Sequence, residues 1–393
     1  MSTTQTTTRV LHSVDTYMHV SENWIYPQII HVPGVESRVL CSTVSNLEAF
    51  PIEKRRLLVN PPMWNSVFGI PRVLNALGRR LGIGGGVSRL KMRLWRPHMI
   101  HAHFGTRGVD CLRLKQLLKS RLITSFYGYD AWMLPQREPV WLERYQHLFT
   151  TGDAFLVEGP AMCKRLIHLG CPIEKVQIHR IGVDLNTHPF TPKALSSPLR
   201  IVMVGRFVEK KGLIDGLHAC LAARSYGVDL KVTVIGDALT HDKAGGQIKD
   251  ELVKLASAPE LSGRVEFTGF LPMEQTNETM RAHEIFLCPS KHASNGDAEG
   301  GSPVVLTEAM ALGLICVGTR HCDIPEVIVH GETGYLCGAG NVSEMAEILF
   351  SLARNPTNAI TLVMQGRKHV ETYFSLETQL QKLSQIYGSL AGK

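Results

Sequence analysis

The sequence predicts an α/β fold with two domains, and two observations indicate it. Short β-branched runs such as IVMVG (201–205) and VTVIG (232–236) alternate with longer amphipathic stretches along the chain. This pattern is typical of parallel sheets wrapped by helices. The chain has 393 residues, which is more than one hydrophobic core usually serves. We therefore expect two similar α/β units that face each other across a cleft.

A segment rich in Pro, Ser and Thr divides the clearest predicted strands into two groups. The first group is RVLHSV (9–14), MIHAHF (99–104), LITSFY (122–127) and AFLVEG (154–159); the second is RIVMVG (200–205), KVTVIG (231–236), RVEFTG (264–269), EIFLCPS (284–290) and LICVGT (314–319). The dividing segment, near residues 186–198, is typical of a linker. We place the domains at residues 1–190 and 191–375, with a last helix in 376–393.

Composition favours a soluble globular protein of a reducing compartment. Hydrophobic residues make up 44% of the chain and charged residues 20%, which is ordinary for that class. The nine cysteines are scattered without a CxxC pair, which favours free thiols over a disulfide framework or a zinc site. No apolar run is long enough to span a bilayer, and the first residues do not resemble a secretion signal. We predict a cytoplasmic protein without a membrane-spanning segment.

The positive charge is concentrated in the first half of the chain. Residues 1–190 contain 23 Lys and Arg against 13 Asp and Glu, whereas the remainder contains 19 against 22. Between residues 72 and 121, Asp110 is the one acidic residue among these basic ones: Arg72, Arg79, Arg80, Arg89, Lys91, Arg93, Arg96, Arg107, Arg113, Lys115, Lys119 and Arg121. Two interpretations remain open, a solvated face and a surface that docks on anionic lipid, where each basic residue contributes about 1 kcal/mol. Nucleic acid is disfavoured because no aromatic stacking series accompanies the charge.

The stretch GDAEGGSPVVLTEAMALG (296–313) predicts an anion site at the start of a helix. Ser302 can cap a helix running from about Pro303 to Leu312. Its unpaired N–H groups and positive dipole end suit an anion, and Gly300 and Gly301 allow close approach to the backbone. Glu308 lies more than a turn into the helix, where its carboxylate can accept hydrogen bonds from hydroxyl groups. A ligand with phosphate and hydroxyl groups fits both features.

Two further motifs follow predicted strands. In IVMVGRFVEKKG (201–212), Arg206 and Lys211 are either solvated surface cations or, at the carboxyl end of a strand, a pair that neutralises a diphosphate. In RPHMIHAHFGTRG (96–108), His101 and His103 lie on one side of the strand. They could bind a metal, but no third ligand is evident nearby, and a core histidine is commoner. At the mouth of a cleft, His103 would instead contact a sugar hydroxyl.

The motifs EGGSPVVLTEAMALG, VGRFVEKKG, IHAHFG and RLIHLGCPIEKVQIHRIGVD together resemble those of the retaining glycosyltransferases of family 4. The resemblance is greatest to enzymes that build bacterial exopolysaccharides, including the colanic acid glycosyltransferases. VSENWIYPQI (20–29) is similar to the SETFI segment of that subgroup. The resemblance covers nearly the whole chain, with the motifs in the right order.

The resemblance implies a GT-B architecture of two Rossmann-like domains, the first binding the acceptor and the second the nucleotide sugar. The last helix would cross back onto the first domain. The implied roles are diphosphate binding by Arg206 and Lys211, ribose binding by Glu308, distal-phosphate binding by the backbone of Val304 and Val305, nucleobase contact through the Leu271 backbone, and sugar contact by His103. The implied catalytic residues are His103, Arg206 and Lys211.

Two departures from the family pattern affect the implied site. Eight residues separate Glu299 from Glu308 where the family has seven, so strict alignment places Gly300 at the position of the first glutamate. Either Glu299 reaches the same place, or the N–H groups of Gly300 and Gly301 take over its sugar contact. In SFYGYDA, Tyr127 stands where relatives commonly place histidine.

The implied function is transfer of a hexose, with retention, from a UDP- or GDP-sugar to a lipid-linked or saccharide acceptor in polysaccharide biosynthesis. No cofactor is expected and the reaction would be metal-independent, since no Asp-x-Asp cluster is present. The protein would act in the cytoplasm or peripherally on the cytosolic face of a membrane. The alternatives are a GT-B nucleotide-sugar epimerase or phosphorylase, and a non-catalytic subunit that binds a sugar nucleotide. The sequence does not determine the base, sugar, acceptor, linkage or oligomeric state.

Overall fold

A computed structural model of the protein describes residues 7–19, 22–59 and 86–392, with residues 86–90 described by their backbone alone. The described chain forms two large parallel sheets, one from each half, and a two-stranded ribbon. Helices cover the sheets, as the alternating sequence pattern predicts. The predicted α/β class is confirmed.

The first sheet has seven strands in the order β5-β3-β1-β6-β7-β8-β9. Its strands are β1 (Thr8–Ser13), β3 (Val35–Cys41), β5 (Leu57–Val59), β6 (Met99–His103), β7 (Arg121–Ser125), β8 (Ala154–Val157) and β9 (Val176–Ile178). The short ribbon pairs β2 (Thr16–Tyr17) with β4 (Thr43–Val44). The order reverses at β1, which creates the switch point where ligands of such sheets bind.

The second sheet has six strands in the order β12-β11-β10-β13-β14-β15. Its strands are β10 (Leu199–Val204), β11 (Leu230–Ile235), β12 (Val265–Gly269), β13 (Ile285–Cys288), β14 (Ile315–Thr319) and β15 (Gly334–Cys337). In order of appearance along the chain this is 3-2-1-4-5-6, the strand order of a Rossmann sheet. Residues 186–198, between the sheets, form no regular element.

Fourteen α-helices connect and cover the strands in the described ranges. They are α1 (Ile25–Ile30), α2 (Gly86–Trp95), α3 (Gly105–Leu118), α4 (Met133–Arg137), α5 (Val140–Thr151), α6 (Pro160–His168), α7 (Leu213–Ser225), α8 (Lys243–Ala256), α9 (Met273–Arg281), α10 (Val304–Leu312), α11 (Ile324–Val327), α12 (Val342–Arg354), α13 (Ala359–Tyr373) and α14 (Leu376–Ala391). Within these ranges, no helix combines the length and the apolarity needed to cross a membrane.

All nine strands predicted from β-branched runs are present, but others were missed. The missed strands of the large sheets are β3, β5, β9 and β15. The last three have only three or four residues, too short for a periodic signal, and β3 is interrupted by charged residues in VESRVLC. Tertiary pairing with a neighbouring strand stabilises them.

The last helix packs against the first sheet rather than the second. In α14, Leu383 and Tyr387 are fully buried in a cluster with Val10, Met99 and Ile123 of the first sheet. The Tyr387 hydroxyl also hydrogen-bonds Nδ1 of His101, at 2.6 Å. The first strand and the last helix of the described residues therefore lie on the same half of the molecule.

The two halves meet at the carboxyl ends of their strands. Asn23 of the first half donates to the Met273 sulfur at 3.8 Å, and Trp132 packs its ring 5.3 Å from that of His292. The loop after β7 is shaped by Asp130, whose carboxylate accepts hydrogen bonds from the backbone N–H groups of residues 105, 127 and 128.

The predicted basic stretch lies partly outside the described residues. Arg72, Arg79 and Arg80 fall in the range that the structure does not describe, and the Arg89 side chain is likewise not described. The remaining members include Arg93, Arg96 and Lys119, which are exposed. All nine cysteines are free, as predicted.

Candidate functional site

The predicted anion site lies at the start of α10, but its cap differs from the prediction. The helix begins at Val304, Pro303 is the N-cap with φ −56° and ψ 125°, and no side chain caps it. Ser302, predicted as the cap, is displaced by one position, and its buried Oγ has no hydrogen-bond partner among the described residues. The first N–H groups of α10 are therefore not capped by a side chain of their own segment. Gly313, with φ +93°, ends the helix.

Lys211 and Glu299 form an ion pair just before this helix. Lys211 Nζ lies 2.9 Å from Glu299 Oε1, and the side chains are 18% and 6% exposed. The Ser290 hydroxyl donates to the same carboxylate at 2.7 Å. Although burial alone would raise it, the charges of Lys211 and Lys210 bring the pKa of Glu299 below its ordinary value. Glu299 is thus an anion held by Lys211.

Arg206 is the available cation at this edge of the second sheet. It lies two residues beyond β10, is exposed, and has no ion-pair partner in the described ranges. The neighbouring Lys210 is held by Asp297, at 3.1 Å, and by the carbonyl of Ala298. Arg206 is therefore free to meet an anionic ligand, whereas Lys210 is already paired.

Glu308 presents an unpaired carboxylate from the side of α10. It is partly buried and forms no hydrogen bond with any residue that the structure describes. Burial raises its pKa, and the nearby His188 partly offsets that effect. Leu271, Val304 and Val305 are partly buried and pack against one apolar cluster beneath it. Acceptor oxygens and an apolar wall are thus adjacent, which suits a nucleoside.

Gly300 and Gly301 are approached by the first half of the protein. Gly300 has φ +85°, and a Cβ there would overlap the Gly128 backbone. A Cβ on Gly301 would overlap Oε2 of Glu158. Gly300 occupies the position that strict alignment gives to the family's first glutamate. The structure leaves no room for a side chain there, and it pairs the Glu299 carboxylate with Lys211.

Gly300→Ala is expected to lower kcat/KM for the expected sugar transfer by about tenfold or more. The added methyl group would strain a left-handed residue by about 1–2 kcal/mol and hold the Gly128 loop away from the cleft. Steady-state kinetics with thermal unfolding as a second readout would test this. Gly227→Ala is a matched control, because that glycine has φ +85° but no neighbour within 4 Å of its Cβ. If both variants lose activity equally, the loss does not come from the contact between Gly300 and the Gly128 loop.

The structure buries His103 instead of placing it at the mouth of a cleft. The side chain has 0% exposure. Its ring nitrogens hydrogen-bond Nδ1 of His12, at 3.0 Å, and the Tyr127 hydroxyl, at 2.8 Å. Burial, followed by the charges of His12 and His179, holds the pKa of His103 well below its ordinary value. Neutral His103 lies beneath Tyr127, which is only partly buried.

His12 supplies the third histidine that the sequence did not reveal. It is paired with His101 in the register of β1 and β6, and ligand atoms of His12, His101 and His103 lie within 4.8 Å of one another. However, His103 stacks on both neighbours, with interplanar angles of 14° and 29°. Both ring nitrogens of His101 and of His103 are also occupied by hydrogen bonds, to Tyr387, Ser125, His12 and Tyr127. The geometry favours a hydrogen-bonded histidine core over a metal centre.

Two acidic residues at the interface were also missed in the sequence. Asp323 accepts a hydrogen bond from the N–H of Ala161, at 2.7 Å, and so caps α6 of the first half. Glu158 follows β8 and faces the backbone N–H of Ser302 at the start of α10. The position of Glu158, near the end of the predicted strand AFLVEG (154–159), was the available signal. Asp323 had no such signal, because its partner lies 162 residues away.

Comparisons with known proteins agree with this geometry. Residues 187–369 match the family described as glycosyl transferases group 1. The chain is 32% identical over 295 residues to the amylovoran biosynthesis glycosyltransferase AmsK of Erwinia amylovora, covering 74% of this chain and 69% of AmsK. It is 31% identical over 302 residues to WcaL of Escherichia coli (strain K12), named as a colanic acid biosynthesis glycosyltransferase, covering 75% and 71%.

The fold is similar to that of solved structures with lower sequence identity. The structure of Anabaena HepE in complex with UDP-glucose has a TM-score of 0.74 at 18% identity, covering 97% of this chain and 99% of HepE. The apo form of the lipopolysaccharide outer core galactosyltransferase WaaB has a TM-score of 0.68 at 13% identity, covering 97% and 99%. These similarities confirm the expected GT-B architecture.

Proposed function

Because the chain belongs to the glycosyl transferases group 1 family, we propose that it transfers a hexose from a nucleotide diphosphate sugar during exopolysaccharide assembly. The acceptor would be a lipid-linked or other saccharide. The names of AmsK and WcaL support the pathway class. UDP is the first choice of nucleotide, because HepE binds UDP-glucose, and GDP is the second.

The juxtaposition of an anion site, cations and a free carboxylate carries this proposal. The start of α10, Lys211 and Arg206 would bind the diphosphate, and Glu308 would accept hydrogen bonds from the ribose hydroxyls. The Leu271 backbone would contact the base, and the N–H groups of Val304 and Val305 the distal phosphate. The glycine N–H groups at 300 and 301 would contact the sugar.

The same residues would lower the barrier to transfer. Cleavage of the glycosyl phosphate bond develops negative charge on the departing phosphate, where aligned donors contribute several kcal/mol each. We propose that the acceptor attacks from the face that the phosphate leaves, which retains the configuration, and that the phosphate takes the acceptor's proton. Arg206, Lys211 and the α10 N–H groups would supply the charge stabilisation without a metal. His103 would act by holding Tyr127 at the cleft.

A ligand panel followed by product analysis tests the proposed function. UDP, GDP, ADP and their hexose conjugates would be screened for a rise in the unfolding temperature, because a ligand of the native state stabilises it. The best donor would then be incubated with and without membrane lipids. Hexose transfer to lipid or saccharide, with the anomeric configuration retained, supports the proposal. Epimerised donor, phosphorolysis, or binding without transfer or donor hydrolysis would favour the alternatives.

We propose that the surface around a basic cavity in the first half binds an anionic membrane. Its volume is about 900 Å³, and it opens at the amino ends of β1, β6 and β7, opposite the cleft. The cationic lining residues are Arg9, Arg93, Arg96, Lys115, Lys119 and Arg121. Leu94 nearby in the sequence is 75% exposed and Leu117 in the lining is 41% exposed. Cations mixed with exposed leucines suit a headgroup surface.

Arg93→Gln combined with Lys119→Gln is expected to weaken binding to anionic vesicles roughly 30-fold. The change removes two exposed cations, each contributing about 1 kcal/mol near an anionic surface. Vesicle sedimentation at two salt concentrations would measure it. Lys231→Gln with Lys254→Gln removes two exposed lysines from the second half and should leave binding unchanged. Equal binding by wild type and both variants would exclude this docking surface.

A further inference from the structure

Glu158 brings a carboxylate from the first half to the start of α10. The residue directly follows β8. Its carboxylate faces the Ser302 backbone N–H, and it fills the space above Gly301 that a Cβ would otherwise occupy. The buried Oγ of Ser302 finds no partner at the same place. The protein therefore places a carboxyl group of its own beside the site proposed for the donor's distal phosphate, since Glu158, Ser302 and Val304 line one cavity.

The surroundings of Glu158 make a second anion unfavourable there. Burial, followed by the charges of Asp323, Glu299 and Asp130, raises the pKa of Glu158 well above its ordinary value. Asp323 and Asp130 are themselves almost fully buried, with 3% and 1% exposure. Lys211 lies against Glu299 rather than against Glu158, which has no ion-pair partner among the described residues. A phosphate that arrives beside charged Glu158 therefore meets repulsion.

Asp323 makes the reciprocal contact, so the two carboxylates link the halves in both directions. Asp323 of the second half caps α6, while Glu158 at the end of β8 faces the entry of α10. Each carboxylate thereby meets backbone N–H groups at or just before a helix start of the opposite half, which is a favourable position for a negative charge. A phosphate that takes over the N–H groups at this helix entry, including that of Ser302, breaks one of these two contacts.

We propose that Glu158 is an intramolecular competitor of the donor's distal phosphate at the start of α10. The inference rests on the proposed function, because it takes the phosphate position from it. Glu158 must either accept a proton or leave the site when the phosphate binds. The competition links donor binding to the contact between the halves.

The proposal predicts a pH dependence with a definite sign. Charged Glu158 competes and neutral Glu158 does not, so wild-type affinity for a nucleotide diphosphate should fall as the pH rises through the raised pKa of Glu158. The other charged groups facing or lining this region are Asp130, Arg180, Glu299, Asp323 and Glu326. Of these, Arg180 and Glu326 neutralise each other in an ion pair of 2.6 Å.

Glu158→Gln tests the competition directly. UDP binding would be measured by calorimetry at about pH 6 and about pH 8.5, with uridine as the ligand that lacks phosphate. The variant should bind UDP about tenfold more tightly than wild type at the higher pH, with a smaller difference at the lower pH. Uridine affinity should not change. Arg180→Gln combined with Glu326→Gln, which removes the neutral ion pair of the same region as a unit, should show no such gain.

The outcomes separate this inference from the proposed function. If wild type binds UDP and Glu158→Gln binds it equally or more weakly at both pH values, the competition is excluded while the proposed function stands. Weaker binding would instead make Glu158 a ligand contact. Tighter binding of uridine as well would show a general opening of the cleft and also exclude the competition. If wild type binds no nucleotide of the panel, the proposed function fails and this inference with it.

Discussion

Replacing Lys211 by methionine is expected to lower kcat/KM for sugar transfer by about 10²–10³-fold. Such a loss is typical when one donor to a developing oxyanion is removed. Lys211 lies beside the entry of α10, and its ammonium group is within 2.9 Å of Glu299. We expect the diphosphate to share this cation or take it over, so its removal should act on the transition state. Steady-state kinetics with the donor identified in the panel would measure the effect.

A double variant separates catalysis from stability. Lys211→Met alone leaves the buried Glu299 carboxylate without its cation, which costs about 3–5 kcal/mol of unfolding free energy for a buried pair. Adding Glu299→Gln removes the orphaned charge and should restore much of that stability. Activity should remain lost, because the cation is still missing. Recovery of activity in the double variant would show that Lys211 serves the fold and not the reaction.

Replacing Glu308 by glutamine is expected to weaken nucleotide binding by about 10–100-fold. A carboxylate accepts two charge-assisted hydrogen bonds, each contributing roughly 1.5–3 kcal/mol, whereas the amide provides one neutral acceptor. Glu308 suits this role because no described residue occupies its carboxylate. Calorimetry with UDP would measure the loss in binding.

The ribose assignment has its own control. With 2′,3′-dideoxy-UDP, which lacks both hydroxyls, wild type and Glu308→Gln should bind equally weakly. Since burial raises the pKa of Glu308, wild-type UDP affinity should also fall as the pH drops through that pKa, because the protonated acid loses acceptor strength. The Glu308→Gln variant should not show this fall in UDP affinity at low pH. If Glu308→Gln weakens the binding of UDP and of 2′,3′-dideoxy-UDP by similar factors, Glu308 does not contact the ribose.

The sequence predicted strands where local pattern and tertiary environment agree. Runs such as RIVMVG and LICVGT are apolar throughout because both faces of a central parallel strand are buried. β9 and β15 carry only three and four residues, so no period could identify them. Their existence depends on pairing with β8 and β14, which is a property of the folded sheet.

A site residue could be predicted from the sequence when it lay close, along the chain, to the end of a predicted helix or strand. Arg206, Lys211 and Glu308 all have that property. His12 and Asp323 do not, because their partners are 91 and 162 residues away. The burial of His103 was likewise hidden: a strand pattern does not say which side chains cover a face, and here the rings of His12, His101 and Tyr127 contact His103.

The sequence by itself determined the fold class, the nine clearest strands, the helix entry near residue 304 and the family resemblance, because these depend on short-range pattern and on motifs in one segment. The tertiary structure alone decided that Lys211 holds Glu299, that Gly300 has no room for a side chain, and that Glu158 faces the anion site. Each of these depends on two distant segments brought within a few ångströms, where burial removes water and makes charge pairing decisive.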